Sequence, residues 1–457
     1  MKSFGLELKL LFADRATWGL LVVFVATLVY GLVNGAEAGA RARDNAEAVQ
    51  RDAFEWNRQV REVLERQSLD PRQVAGRPTS ALLPPAPVPA LAVGQSDLLP
   101  SVEQVSLWRL EKPSEGRAEL ENPSRLMAGR FDLAFVLVWL FPLFLLAAAY
   151  DLCAGDRESG TLRMALAQGA SPRRWIALRA LARGTPILAL AVAATLFAGS
   201  SGTAPDAGQR GALAALVVLA YGLFWLAVAA VINGFARSAA AAAMAAGTIW
   251  VVFVLVVPTL LNVVVESLHP APSRAELVAE ARAAASDAEK RGNELISSFY
   301  RDHPELAPPG MQADMMSRML AVQDEVGRAM EPVKERFDEA ILAQQQVVDR
   351  WRFASPAIAT HEALTELAGT GYWRHRAFRE QVEAFKGAVH AYYSPKFHKR
   401  VPLTKADLPH FPRFEFAEEP ASVWRARVLA GVAGILALAL ACGIWAATRL
   451  SPQKLSA

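Results

Sequence analysis

The stretch Gly211-Ala-Leu-Ala-Ala-Leu-Val-Val-Leu-Ala-Tyr-Gly-Leu-Phe-Trp-Leu-Ala-Val-Ala-Ala-Val-Ile232 runs for 22 residues without a charged side chain. A bilayer core of about 30 Å takes about 20 apolar residues to cross as a helix, which satisfies its own backbone hydrogen bonds in hydrocarbon. Working outward with the same ruler gives six spans: Thr17–Gly35, Phe131–Tyr150, Gly184–Ser201, Gly211–Ile232, Ser238–Val265 and Val428–Ala447. None carries Lys, Arg, Asp or Glu through its middle, and Asp132 stands at an end. Composition agrees. Of 457 residues, 53% are hydrophobic and 20% charged, against roughly 25% charged in a soluble domain. The 48 Lys+Arg and 45 Asp+Glu leave a net charge of +3, too balanced for a nucleic-acid-binding surface. Two cysteines, Cys153 and Cys442, build neither a disulfide scaffold nor a zinc ribbon. The predicted class is all-α, a polytopic membrane protein of six helices.

Orientation is read from Lys and Arg in short loops. With both termini inside, the inner segments hold Lys2, Lys9, Arg15, Arg157, Arg163, Arg173, Arg174, Arg179, Arg183, Arg237, Arg449 and Lys454, whereas the short outer loop Gly202–Arg210 holds one. Arg425 and Arg427 oppose the rule, but they follow a long translocated segment and are expected to snorkel toward headgroups. Ala36-Glu37-Ala38 resembles a signal-peptidase site, yet the preceding apolar run is longer than a signal h-region, so an uncleaved anchor is expected. The chain then divides into residues 1–35 (an N-terminal cytoplasmic helix and the first span), 36–130 (a first extracytoplasmic insertion) and 131–265 (spans two to five, with an inner loop at 151–183). Residues 266–424 form a second, helical insertion, and 425–457 the last span and a short tail.

In the first insertion, Ala38–Gln67 reads as a charged helix with Phe54, Trp56, Val60 and Val63 or Leu64 at helical spacing. Pro84, Pro85, Pro87 and Pro89 make an extended, stiff connector, and Gly94–Pro100 is a turn before a short strand or arm at Val102–Leu110. In the second, Ser273 caps a helix carrying Leu277, Ala281, Ala284, Ala288, Leu295 and Phe299. A helix from Met319 to Trp351 has an apolar stripe and is expected to kink or restart at Pro332. A third runs over Tyr372–Tyr392. All seven histidines lie here (His269, His303, His361, His375, His390, His398, His410) without a zinc spacing: His361-Glu362-Ala363-Leu364-Thr365 lacks the second histidine of HExxH. Packing alone, without metal or disulfide, is expected to hold this part together.

The inner loop is the most informative: Asp151-Leu-Cys-Ala-Gly-Asp-Arg-Glu-Ser-Gly160-Thr-Leu-Arg-Met-Ala-Leu-Ala-Gln-Gly-Ala-Ser171-Pro-Arg-Arg-Trp175. Gly160 permits a bend, and Leu162, Ala165 and Leu166 form one face of a short helix ended by Gly169. Ser171 is a good N-cap with Pro172 at the first helical position. A second amphipathic helix follows, with Trp175, Leu178 and Leu181 on one side and Arg174 (with Arg179 and Arg183) toward the other. Two short helices lying along the inner membrane surface are predicted. A loop resting on anionic lipid needs only the arginines, not the Glu-Ser-Gly-Thr-Leu and Ser-Pro sequences.

This loop resembles the coupling region of ABC type-2 export permeases, whose pattern is roughly Glu-x-Gly-Thr-Leu, a small-residue turn, then Ser/Pro-x-Arg. Glu158, Gly160, Thr161, Leu162, Ser171, Pro172 and Arg174 match it, while Asp156 stands where relatives often have Glu. Glu121-Asn122-Pro123, Gly129-Arg130-Phe131-Asp132, Gly94–Pro100, Ser355-Pro356-Ala357 and Ala368-Gly369-Thr370 resemble a bacterial subfamily with enlarged periplasmic insertions. The resemblance implies a transport subunit of the inner membrane with no catalytic, cofactor or metal residues of its own. It implies a separate ABC ATPase that binds ATP and docks on the loop, a second permease subunit (identical or related), surrounding lipid, a periplasmic partner for the outer parts, and no nucleic acid. The chain has no GxxxxGK[ST] phosphate loop. An ATP-driven transmitter acting on a periplasmic partner, without transport, is the alternative expectation, and an anchored scaffold with no ATPase a third. Pro142, Pro186 and Pro258 are hinge candidates, and Asn34, Tyr221 and Asn262 are polar span residues placed for substrate contact.

Overall fold

A computed structural model describes residues 2–97, 99–107, 131–168, 171–271, 273–302 and 315–449. Glu121, Asn122, Pro123, Gly129, Arg130, Gly169, His303 and Lys454 fall outside these, as do the side chains of Arg163, Ala165 and Leu166. The described chain is almost wholly helical, and six helices are long and apolar enough to cross a membrane.

Helix α1 (Lys2–Ala13) leads to α2 (Arg15–Leu64), whose first turn Asp14 caps by accepting from the Ala16 amide. α2 is 50 residues long, about 75 Å at 1.5 Å per residue, so the first span and the charged helix after it are one rod. No proline or turn cluster separates them. Phe54, expected on the apolar face, is 70% exposed, while Val60 and Leu64 are buried. After α3 (Pro71–Ala75), strands β1 (Thr79–Leu82) and β2 (Val102–Val105) pair antiparallel, Thr79 opposite Val105. The proline segment between them is no solvent-spanning connector: Val88, Leu91 and Ala92 are fully buried. It is wedged against α2, where a Cβ at Gly35 would meet the Ala90 carbonyl at 2.8 Å and one at Gly39 would strike the Pro89 ring.

The second span, α4, joins Leu133–Phe135, a π-helical turn Val136–Leu140 and Phe141–Ala149. The inner loop holds α5 (Ala154–Glu158) and α6 (Thr161–Ala167). The third and fourth spans are α7 (Pro172–Ser200) and α8 (Ala207–Phe235). α9, the fifth, joins Ala239–Val251, a π turn Val252–Val256 and Val257–Leu268. In α8, 72% of the apolar window is buried, against 11% in α9. α8 is therefore the central post of the bundle and α9 lies at its edge.

Beyond the bundle, α10 (Arg274–Lys290, capped by Ser273 as expected) and α11 (Gly292–Asp302) pack on α12 (Met315–Trp351). The helix expected over Leu277–Phe299 is thus two. α12, by contrast, passes Pro332 as one element. Two further helices, α13 (Pro356–Ala368) and α14 (Tyr372–His398), precede the last span, α15 (Ala421–Arg449). The two insertions share one core: Val60, Ala81 and Val105 from the first cluster with Phe378, Phe385 and Phe397 from α14.

Candidate functional site

At one end of the bundle the loop of α5 and α6 is nailed to four helices. Asn233, fully buried near the end of α8, accepts through Oδ1 from the amides of Leu152 (3.0 Å), Cys153 (3.0 Å) and Ala154 (3.3 Å), and donates to the Tyr150 and Ala229 carbonyls. One side chain thereby satisfies backbone groups that a helix end and a helix start leave open. Arg179 of α7 donates to Asp156, to Glu7 of α1 (3.0 Å) and to the Leu152 carbonyl (2.8 Å), and its guanidinium lies 4.6 Å above the Trp175 ring. Arg183 donates to the Asp151 carbonyl (2.7 Å). Arg157 reaches the Ala236 carbonyl, and Glu158 accepts from the Ala239 amide (3.2 Å) at the first turn of α9.

The residues matched by the coupling pattern fall into two sets. Leu162 and Pro172 are buried pillars; Glu158, Thr161, Ser171 and Arg174 are exposed along the rim. Gly160 turns the chain at φ +79°, with nothing within 4 Å of where a Cβ would stand. That left-handed backbone favours glycine. Ser159 and Thr161 hydroxyls bond across this turn at 2.9 Å.

Three expectations change. The second arm is no separate short helix: α7 runs unbroken from Pro172 through Pro186 to Ser200, so the arm is continuous with the third span. Its buried stripe is Pro172, Ile176 and Ala180 rather than Trp175, Leu178 and Leu181, the last being 44% exposed. Ser171 holds the N-cap backbone conformation, but its hydroxyl makes no capping bond.

The prolines also differ from simple hinges. Pro142 has no N–H for the Val138 carbonyl, and the Tyr221 hydroxyl donates to it instead (3.0 Å). Pro258 follows the π turn of α9, where the Phe253 carbonyl accepts from the Ser355 hydroxyl. Val138 stands four residues before Pro142 and Phe253 five before Pro258, each within a π turn, and each of these carbonyls has a side-chain donor from another element. Tyr221 is thus committed to the bundle, as is Asn34, which donates to the Phe131 carbonyl (2.9 Å). Asn262 is exposed.

At the opposite end, α13 is inserted among the spans. The Ser355 bond reaches the middle of α9, and the Phe353 ring covers Gly434, where any side chain would collide with it. Asp132 caps α4 through the Phe135 amide (2.7 Å) and binds the Val93 amide (2.8 Å), and the Thr370 hydroxyl donates to the Ala92 carbonyl (3.2 Å). The phrases at Gly94, Asp132 and Gly369–Thr370 therefore converge on one junction, at the end of α13 away from Ser355. Arg427 does not snorkel: it is paired with Glu366 and Glu419, which neutralise it in place, while Arg425 bonds Gln209 (2.6 Å). Among the described residues, no cluster of three His, Cys, Asp or Glu side chains is placed to hold a metal.

A family described as a domain of unknown function (DUF3526) matches residues 274–417, from the start of α10 to just before the last span. No curated protein matches the chain.

Proposed function

We propose that the chain is the membrane-spanning permease subunit of an ATP-driven ABC-type exporter in a bacterial inner membrane. In this reading both termini lie inside, 36–130 and 266–424 lie in the periplasm, and a separate ATPase that binds ATP docks on the α5–α6 hairpin. A second permease subunit, identical or related, completes the pathway. The observation that carries the reading is the attachment of the hairpin. A push on it passes to α8 through Asn233, to α9 through Glu158 and Arg157, to α1 through Arg179 and Glu7, and to α7 by direct continuity. An exposed rim of Thr161, Ser171 and Arg174 on so stiff a mount suits a docking edge, with the Glu158 carboxylate turned to the start of α9.

The second reading, a transmitter that works on a periplasmic partner without moving cargo, draws support from α13. Through Ser355 and Phe353 the far helices grip α9 and α15 within the bundle, so a shift of the spans reaches them.

Copurification from the native host tests both. A nucleotide-binding protein is expected to accompany the wild-type chain and to be lost with Gly160→Trp or deletion of residues 171–174. Wild-type chain that never brings down an ATPase overturns both readings. Cargo flux in vesicles with the ATPase bound then separates exporter from transmitter.

A further inference from the structure

We propose that a cavity between α13, the end of α12 and α15 binds the headgroup of an aminophospholipid, the phosphate facing Arg352 and the ammonium facing Glu362 and Asp349. The cavity measures about 210 Å³, below the roughly 300–1,000 Å³ of pockets that enclose drug-sized ligands. It admits a headgroup, not a bulky cargo.

Its walls are of two kinds. Val428 and Gly431 of the last span, with Ile358, form an apolar side, and Arg352, Glu362 and Asp349 a charged one. A molecule that meets both is amphiphilic. Glu362 Oε1 accepts from the Gln345 amide (3.1 Å), which also donates to Asp349 (3.0 Å). Glu362 Oε2 is buried without a hydrogen bond among the described residues, 3.9 Å from Arg352 Nη1, and Arg352 Nε is likewise buried without one. The Arg352 and Glu362 side chains as a whole stay 17% and 23% exposed, and a guanidinium and a carboxylate on one cavity wall suit a ligand carrying both complements. A primary ammonium supplies donors and a phosphate diester acceptors, each as a charge-assisted bond. Two carboxylates against one guanidinium favour the cationic group. Arg427 and Glu366 also line the space, but they are already paired with each other.

Lipid rather than a free zwitterion is the source because Trp351, adjacent to Arg352, is 57% exposed, and the Trp373 ring lines the cavity. Indole rings of this kind sit at headgroup level. The binding chemistry stands apart from ATPase docking; only the leaflet supplying the lipid follows from the topology proposed above.

The test is native mass spectrometry of the full chain released from nanodiscs holding equal phosphatidylethanolamine, phosphatidylcholine and phosphatidylglycerol. One phosphatidylethanolamine per chain is expected in preference to the other two, since a trimethylated ammonium donates no hydrogen bond and glycerol carries no cation. Glu362→Gln and Arg352→Gln are each expected to weaken retention about tenfold, and exposed Glu415→Gln to leave it unchanged. Gly431→Leu keeps every charge but fills the apolar side, where a Cβ meets only the Ala359 carbonyl at 4.0 Å; it is expected to lose the lipid while the fold survives. Equal retention of all three lipids by the wild type, or a phosphatidylethanolamine preference that survives both Glu362→Gln and Gly431→Leu, overturns the proposal.

Discussion

Pro142 and Tyr221 act as a unit. The proline withholds a donor from the Val138 carbonyl and the phenol, fully buried one helix away, returns it. Tyr221→Phe leaves that carbonyl open at a cost of about 1–3 kcal/mol; Pro142→Ala restores a local N–H. In a double-mutant cycle read by thermal unfolding, the phenylalanine is expected to cost less in the alanine background. A coupling of roughly 0.6–1.7 kcal/mol matches the range for hydrogen bonds within membranes; strict additivity would break the pairing. Asn233 is the stronger case. Asn233→Ala opens three amides and the Tyr150 carbonyl together, and hydrogen exchange at Leu152, Cys153 and Ala154 is expected to rise at least about tenfold, the equivalent of 1.4 kcal/mol. Unchanged protection there would mean the hairpin is held by other contacts. Neither role was legible in the sequence. Tyr221 and Asn233 are lone polar residues in apolar runs, and only the fold reveals that each faces a carbonyl or amide without a partner.

At the scale of elements, hydropathy located all six helices long and apolar enough to cross a membrane, because a bilayer-length apolar run has few other uses. What escaped was continuity and insertion. α2 and α7 extend past their apolar runs because helical rise continues wherever nothing breaks it, and hydropathy is blind to that. α13 has only 13 residues, too short for the span ruler, so its place among the spans came solely from tertiary contacts such as Ser355 with Phe253. Its seat is testable by packing. Gly434→Leu is expected to destabilise by about 1–3 kcal/mol through overpacking, and Phe353→Ala in the same chain to recover much of that; without recovery the ring does not occupy the groove. The pairing of α12 with α14 carries a pH signature. The Asp324 carboxylate, 2.9 Å from His390, holds that imidazole above its ordinary value against the opposing pull of burial. A raised folded pKa stabilises the pair fully below the unfolded value of about 6.5 and loses it as pH climbs through the folded one. With the ring 37% exposed, the loss is under about 1 kcal/mol. Exchange protection near Asp324 is expected to fall above neutrality in the wild type and to be flat with pH in His390→Gln.

Across the whole molecule, α9 is held by several parts: its first turn by Glu158 of the hairpin, Trp250 by the Trp139 carbonyl of α4 (3.0 Å), and its middle by Ser355 ahead of α13. It has little packing of its own in the bundle, so it is the span with most freedom to move and the one both ends can pull. That defines a route from the hairpin through α9 and α13 to α12 and α14, and Glu158 is its weakest link. Its bond to the Ala239 amide is an exposed cap worth about 0.5–2 kcal/mol, small beside the anchors around Asn233. Glu158→Ala is therefore expected to leave the fold and the exposed rim of Thr161, Ser171 and Arg174 intact while loosening α9 from the hairpin. With spin labels at Glu289→Cys and Glu415→Cys, both on exposed positions, the distance between them is expected to change when the bound ATPase turns over ATP. In Glu158→Ala that change is expected to shrink while ATPase binding holds. Loss of binding and movement together would make Glu158 a docking contact, and undiminished movement would send the signal along continuous α7 instead.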